Sequence, residues 1–382
     1  MRILVFCPGW GAIGGIERKA ERLAAEFRAR GHEVVVLARG RAAASTPDAV
    51  PPVVRRKLRG VPRRWRPLGR QLRFALAVVP TILGLRRVAR AARADVVLTL
   101  AVSTFAPYVA GLAGAVPVVL SLEGREAGGV FTATPRALRL ALRRAARVVA
   151  CSRSLAASAV VLAPEVAPCV RIVPNGVDAG RFATATPFAH RRPYVLALGR
   201  LTPQKGFDLL IDAFARLGTA AYGVDLLIAG DGPERAALEA AAARLGLGDR
   251  VRFLGAVDEA RAAALYRGAC VVACPSRWEG LPLVCLEAMA SGAAVVAAAV
   301  DGIPDAVTDG ETGVLVGAED PAALASALAA LLADDERRRR LGERARAVAR
   351  ERFAWADVAG AYLDVLGEAA RGGNCPPGLR PV

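Results

Sequence analysis

The amino-acid sequence predicts an α/β protein with two doubly wound parallel sheets, and three observations carry that prediction. Short apolar, β-branched runs alternate with amphipathic helical stretches along the chain, the order that crossover-linked parallel strands require. At 382 residues, the chain exceeds one ordinary core and suits two domains. The alternation lapses at 183–193 (ATATPFAHRRP), where periodicity is lost and two prolines fall, and then resumes.

In the first half, ILVF (3–6), VVVL (34–37), DVVLTL (95–100), PVVLSL (117–122), RVVAC (147–151) and VRIV (170–173) read as strands. The run IERKAERLAAEFRARG reads as a helix stopped by Gly31. The second half repeats this grammar with YVLALG (194–199), VDLLIAG (224–230), RVRFLG (250–255), ACVVACPS (269–276), AAVVAA (293–298) and TGVLV (312–316). Asp258 is placed to cap the helix that follows it. Two helical stretches, 321–350 and 355–370, precede a Gly/Pro-rich tail. The expected organisation is a first domain at 1–183, a linker to 193 and a second domain at 194–350. A terminal helix at 351–370 then returns toward the first domain, and a loose tail covers 371–382. Ligands of such sheets bind where strand ends meet helix starts, so a cleft between the domains is the expected site.

Composition narrows the function classes. With 54% hydrophobic and 23% charged residues, the chain is a folding one. MRILVF lacks the order of a secretory signal, and the longest near-apolar run, FALAVVPTILGL, is short and holds Pro80. Seven cysteines lie mostly in apolar runs, which suits reduced, buried thiols in the cytoplasm. With two histidines and no ligand-like spacing, a metal site is not expected. Charge is uneven: up to Arg181 there are 30 basic against 10 acidic residues, and thereafter 22 against 25. The basic half predicts an anionic partner. Only Lys19, Lys57 and Lys205 are lysines, so a lysine at a special place calls for a reason.

Three segments carry chemistry. PGWGAIGGIERKAE follows the first strand, and Gly14 and Gly15 allow close backbone approach at a helix start; alone, this pattern is weak. GRLTPQKGFDLL leaves the first strand of the second domain and places Arg200 and Lys205 where an anion such as a diphosphate would lie. In WEGLPLVCLEAMASG, Pro282 suits a helix's first turn and Gly292 its end, so Glu279 precedes the helix and Glu287 lies on it. The N–H groups of Gly280, Leu281, Leu283 and Val284 would then form an anion site between two carboxylates. The plain alternatives are a structural strand-to-helix turn for the first, a solvated loop with two cations for the second, and a buried helix with glutamates as caps or surface charges for the third.

Together with LLIAGDGPE, PNGVD (174–178) and DGIPDAVTDGETGVLV, these segments resemble a retaining glycosyltransferase of family 4 with the GT-B fold. The resemblance spans nearly the whole chain and is densest from 194 to 317. It implies sugar transfer from a nucleotide-diphosphate sugar with retained configuration and without a metal. It also implies two Rossmann-like domains, with Arg200 and Lys205 on the leaving diphosphate, Glu279 on the donor sugar and Glu287 on the ribose. Gly232 would lie near the nucleoside, and Gly14 and Gly15 would approach the phosphate. One departure stands out. Relatives end a first-domain strand in T-x-H-G, whereas this chain has SLEGRE, with Glu123 in the histidine's place. Glu123, Arg125 and Glu126 are therefore candidates for holding acceptor or donor sugar.

Residues 55–93 hold 13 basic and no acidic residues, with Trp65 and Phe74 among them, and RALRLALRRAAR adds a second basic stretch. That mixture suits an anionic bilayer; the plain alternative is a solvated arginine-rich face, with the apolar run as a core helix. The leading expectation is a cytoplasmic enzyme, peripheral on the inner face of the plasma membrane, that acts on a lipid-linked or cell-envelope glycan. The alternatives are an enzyme free of the membrane with a small-molecule acceptor, a nucleotide-sugar epimerase, or a non-catalytic basic binding protein. Nucleic acid is not expected, because no finger, helix-turn-helix or ribonucleoprotein pattern occurs.

Overall fold

The computed structural model describes residues 1–7, 15–39, 53–56, 82–100, 115–124, 135–218 and 223–372. The chain divides into two compact units, Met1–Pro174 with Trp355–Val382, and Asn175–Ala354.

The first unit is built on a seven-stranded sheet ordered β3-β2-β1-β4-β5-β6-β7. Its strands are β1 (Arg2–Cys7), β2 (Glu33–Arg39), β3 (Val53–Arg56), β4 (Val96–Leu100), β5 (Val118–Leu122), β6 (Arg147–Ala150) and β7 (Val170–Ile172). Every pairing is parallel. β1, β4 and β5 are buried on both faces, which explains their unbroken apolar runs. The helix Gly15–Ala29 lays Ala20, Leu23, Ala24 and Phe27 on the sheet and gives way to Gly31 at φ +80°. The helix Trp355–Gly372 contributes Val358, Tyr362, Val365 and Leu366 to the same core. β3 is not anticipated by the sequence reading, which takes its last two residues, Arg55 and Arg56, as the start of the basic segment.

The second unit carries six strands ordered β10-β9-β8-β11-β12-β13, all parallel. They are β8 (Tyr194–Leu198), β9 (Asp225–Ala229), β10 (Val251–Gly255), β11 (Val271–Cys274), β12 (Ala294–Ala298) and β13 (Val314–Val316). Helices Phe207–Arg216 and Pro321–Leu332 cover this core with Leu210, Ile211, Phe214, Leu324 and Leu328. Asp258 caps the helix Glu259–Gly268, accepting from the N–H of Arg261 at 2.8 Å.

Three expectations are corrected. The division falls after Pro174, so residues 175–193, placed in the first domain and the linker, belong to the second unit. There the Asn175 amide donates to the Leu281 carbonyl at 2.7 Å, and Phe182 meets Tyr266 edge-on at 5.9 Å. The helix expected over 321–350 is two helices, Pro321–Leu332 and Asp335–Arg352, because the Asp334 carboxylate accepts from the N–H of Arg337 and starts a new one. Cys7, Cys151, Cys270, Cys274 and Cys285 are free thiols, but Cys169, which closes the turn Pro164–Cys169 outside the apolar strands, is disulfide-bonded. Among the described residues, no helix is long and apolar enough to cross a membrane. The basic segment lies mostly outside them; where it is described, the 82–91 helix buries Leu85, Val88 and Ala89.

Candidate active site

The site forms at the C-terminal edge of the second sheet. After β8 the chain makes a tight turn, Pro203–Lys205, and enters the helix Phe207–Arg216 through Gly206 at φ +65°. A Cβ at Gly206 would lie 2.1 Å from the Pro275 carbonyl oxygen, so glycine is needed both for the conformation and for the approach to the loop after β11. That approach brings Lys205 Nζ onto Glu279 Oε1. Ser276 Oγ donates to the same oxygen at 2.9 Å, and the Glu279 N–H donates to Asp301 Oδ2 at 3.1 Å. Burial works against the charge on Lys205, but the neighbouring Glu279 carboxylate prevails and raises its pKa above the ordinary lysine value.

The helix of the WEGLPLVCLEAMASG motif runs Leu283–Ser291, with Pro282 at its cap position and Gly292 ending it at φ +79°. Pro282, expected in the first turn, thus stands just before it, and the preceding Leu281 carbonyl is taken by Asn175. No side chain caps this start. Among the described residues, the N–H groups of Gly280, Leu281, Leu283 and Val284 have no acceptor. The helix therefore presents free donors and a positive dipole end beside Glu279. Glu287 is buried on it and accepts from the Tyr266 hydroxyl at 3.0 Å. Arg200 is exposed, and among the described residues its guanidinium has no hydrogen-bond or ion-pair partner. Gly232, expected near a nucleoside, has a local reason as well: a Cβ there would meet the Leu201 oxygen at 2.3 Å, so glycine lets the loops after β8 and β9 pack.

In the first unit, Gly15 opens its helix, while Gly14, Arg125 and Glu126 lie outside the described residues. Glu123, a candidate sugar contact, is held by Lys19, whose Nζ donates to both carboxylate oxygens at 2.9 and 2.8 Å. Ser121 Oγ donates to Glu123 at 2.6 Å, and the Tyr362 hydroxyl lies 2.7 Å from Ser121 Oγ. Lys19 is 1% exposed, and burial opposes its charge; the Glu123 carboxylate nevertheless holds its pKa far above the ordinary value. Sequence reading missed Lys19, Ser276, Asp301 and Tyr266. The scarcity of lysine is a signal for Lys19, but nothing in the sequence names its partner 104 positions away.

The profile described as Glycosyltransferase Family 4 matches residues 13–181, and that of Glycosyl transferases group 1 matches residues 181–348. The chain belongs to this glycosyltransferase family. It is 41% identical over 220 residues to a D-inositol 3-phosphate glycosyltransferase of Xylanimonas cellulosilytica, covering 53% of this chain and 52% of the relative. It is 32% identical over 281 residues to a glycogen synthase of Mycobacterium tuberculosis, covering 70% and 67%. The chain thus spans about half the length of the first of these curated relatives. Its fold is similar to a sucrose-phosphate synthase from Thermosynechococcus elongatus, with TM-score 0.78, 21% identity and coverage of 96% and 98%. It is also similar to Anabaena HepE in complex with UDP, with TM-score 0.77, 22% identity and coverage of 96% and 100%.

Proposed function

We propose that this chain transfers a sugar from a nucleoside-diphosphate donor to a hydroxyl acceptor with retained anomeric configuration. One observation carries the reading: the Lys205–Glu279 pair stands beside an uncapped helix start, with Arg200 uncommitted on the same strand-end loop as Lys205. The donor's diphosphate would rest on the N–H groups from Gly280 to Val284, with Lys205 and Arg200 as counter-charges. Glu279 would take sugar hydroxyls and Glu287 the ribose. As the bond from C1 to the diphosphate breaks, negative charge grows on the leaving oxygen, and preorganised donors stabilise it there. The acceptor oxygen bonds to C1 on the same face, and its proton passes to the departing phosphate oxygen. Side chains and backbone donors supply the positive charge, so a divalent ion is given no role.

The acceptor proposed here is a polar one, a polyol phosphate or a glucan end. The names of the inositol-phosphate and glycogen relatives support it over the lipid-linked glycan expected from the basic half. Thermal-shift screening against uridine, guanosine and adenosine diphosphate sugars identifies the donor, and transfer to inositol phosphates and short glucans then reads the acceptor. Product anomeric coupling tests retention, and vesicle co-sedimentation tests the lipid-linked alternative. Undiminished transfer in both Lys205→Met and Glu279→Ala would defeat the reading.

A further inference from the structure

Arg277 lies two residues before Glu279, and its side chain joins three loops at the edge of the second sheet. One terminal nitrogen donates to the Pro203 carbonyl at 2.7 Å and to Asp208 Oδ1 at 2.9 Å. The other donates to Asp208 Oδ2 at 2.7 Å, and Nε donates to Glu319 Oε1 at 2.8 Å. Its backbone N–H donates to the Gln204 carbonyl at 2.8 Å, and the Gln204 amide returns a bond to the Trp278 carbonyl at 3.0 Å. Pro203 and Asp208 bracket Lys205 in the chain, so Arg277 grips both sides of the lysine loop while belonging to the glutamate loop. Hydrogen bonding to Arg277 holds the Asp208 carboxyl below its ordinary range.

Solvent exposure limits what this convergence adds to folding stability. The side chains of Asp208 and Glu319 are 53% and 63% exposed, and exposed ion pairs add little to a fold. What a forked, bidentate guanidinium does supply is a fixed angle and distance between the segments it joins. A second observation is independent of Arg277. Glu319 and Asp301 have φ +54° and +45°, values that non-glycine residues adopt only when their surroundings enforce them. These two acids hold the 277–279 loop, Glu319 through Arg277 and Asp301 through the Glu279 N–H. Two of the three described non-glycine residues with positive φ, the other being Arg93, are thus the acids that fix this loop.

We propose that Arg277 is a positioning residue for sugar transfer: with Asp208, Asp301 and Glu319 as its collar, it sets the Lys205–Glu279 pair to receive a nucleoside diphosphate. The proposal rests on the donor-site reading above. Its test compares Arg277→Met and Arg277→Lys with wild type, with Lys205→Met and with Arg344→Met, which removes an exposed ion pair to Glu311 outside the collar. Donor turnover and its split into kcat and KM are measured, together with circular dichroism at the assay temperature. The rate at which an amine-reactive ester acylates Lys205 is followed by peptide mapping, a readout that needs no substrate. Arg277→Met is expected to lose on the order of 10- to 100-fold in kcat/KM, as small misplacements in a site do. Its acylation of Lys205 should quicken several-fold, and its melting should move no further than that of Arg344→Met. Arg277→Lys, which keeps the charge but loses the fork, should fall between. Unchanged turnover and acylation in Arg277→Met, or a loss explained by a smaller folded fraction, overturns the proposal. If Lys205→Met also keeps full turnover, the donor-site reading falls with it; if Lys205→Met is crippled and Arg277→Met is not, only the positioning role falls.

Discussion

Each unit holds a lysine–glutamate pair at the C-terminal edge of its sheet, and each glutamate takes a serine hydroxyl from just upstream. The surroundings differ. Lys19 and Glu123 are 1% and 5% exposed, both carboxylate oxygens face the ammonium, and Lys19 sits 5.2 Å above the Tyr362 ring. Lys205 is 18% exposed, bonds one oxygen of Glu279 and lies next to a helix start with unclaimed N–H groups. The first pair is closed in that both carboxylate oxygens bond the ammonium and little of either side chain meets solvent; the second stays open to an incoming anion. The difference teaches that ion-pair chemistry alone does not mark a site; the unspent donors around it do.

The largest effect should separate the two pairs by stability. Removing one partner of a buried pair leaves an uncompensated charge, so Lys19→Met is expected to cost about 3 to 5 kcal/mol in urea unfolding. Adding Glu123→Leu should restore much of that, since an apolar replacement of the whole pair removes the stranded carboxylate. If Lys19→Met unfolds like wild type, the closed reading is lost. Next comes Lys205→Met, whose effect should fall on catalysis. Loss of one preorganised donor corresponds to about a hundred- to a thousand-fold in transfer rate, or ~3 to 4 kcal/mol. Its unfolding cost should stay below that of Lys19→Met because water reaches the site. A variant as unstable as Lys19→Met but fully active would reverse the comparison.

Alkaline titration probes the closed pair further. Burial, opposed by the nearby Lys19, raises Tyr362 from 10.0 to about 12, and Lys19 itself titrates far above the ordinary lysine value. A group whose folded pKa is raised contributes stability that is complete below its unfolded pKa and lost as pH climbs through the folded one. Melting temperature should therefore show no loss from these groups at pH 7 to 9 and fall between about pH 10 and pH 12. At ~1.4 kcal/mol per unit, Tyr362 accounts for on the order of 2 to 3 kcal/mol. Tyr362→Phe should blunt the decline; an equal decline in that variant would remove Tyr362 from the account.

The same contrast shows what a sequence can reveal. Lys205 and Glu279 follow β8 and β11, neighbouring parallel strands, so local motifs at two strand ends are enough to place them side by side. The strands themselves are legible from their apolar runs, save β3, whose two valines are followed at once by the basic stretch that begins at Arg55. Lys19 and Glu123 depend on how far one side chain reaches from a helix toward β5, a matter of packing that periodicity does not encode. The resemblance marks Glu123 through the family's histidine pattern, but it carries no sign of the lysine that holds this carboxylate. Arg277 was passed over because its acids lie 69 and 42 positions away in sequence. The unit boundary was misplaced because the Asn175–Leu281 bond that draws 175–193 into the second unit spans 106 positions.

The smallest effects sharpen the comparison most directly. Ser121→Ala and Ser276→Ala each remove one hydroxyl donor from a glutamate and leave the lysine in place. A hydrogen bond to a charged group contributes roughly 1.5 to 3 kcal/mol when buried, and the low end applies where a lysine still neutralises the carboxylate. In the first unit, Ser121 also meets the Tyr362 hydroxyl, so its removal loosens the helix Trp355–Gly372 from β5 and should appear as lower melting. In the second unit, Ser276 helps fix one oxygen of Glu279, so its removal should raise the donor KM or lower kcat while melting changes less. Swapped outcomes, with Ser276→Ala costing only stability and Ser121→Ala only turnover, would exchange the roles of the two pairs. That result would move the catalytic assignment to Glu123, because a pair that governs rate without governing stability is one the reaction itself uses.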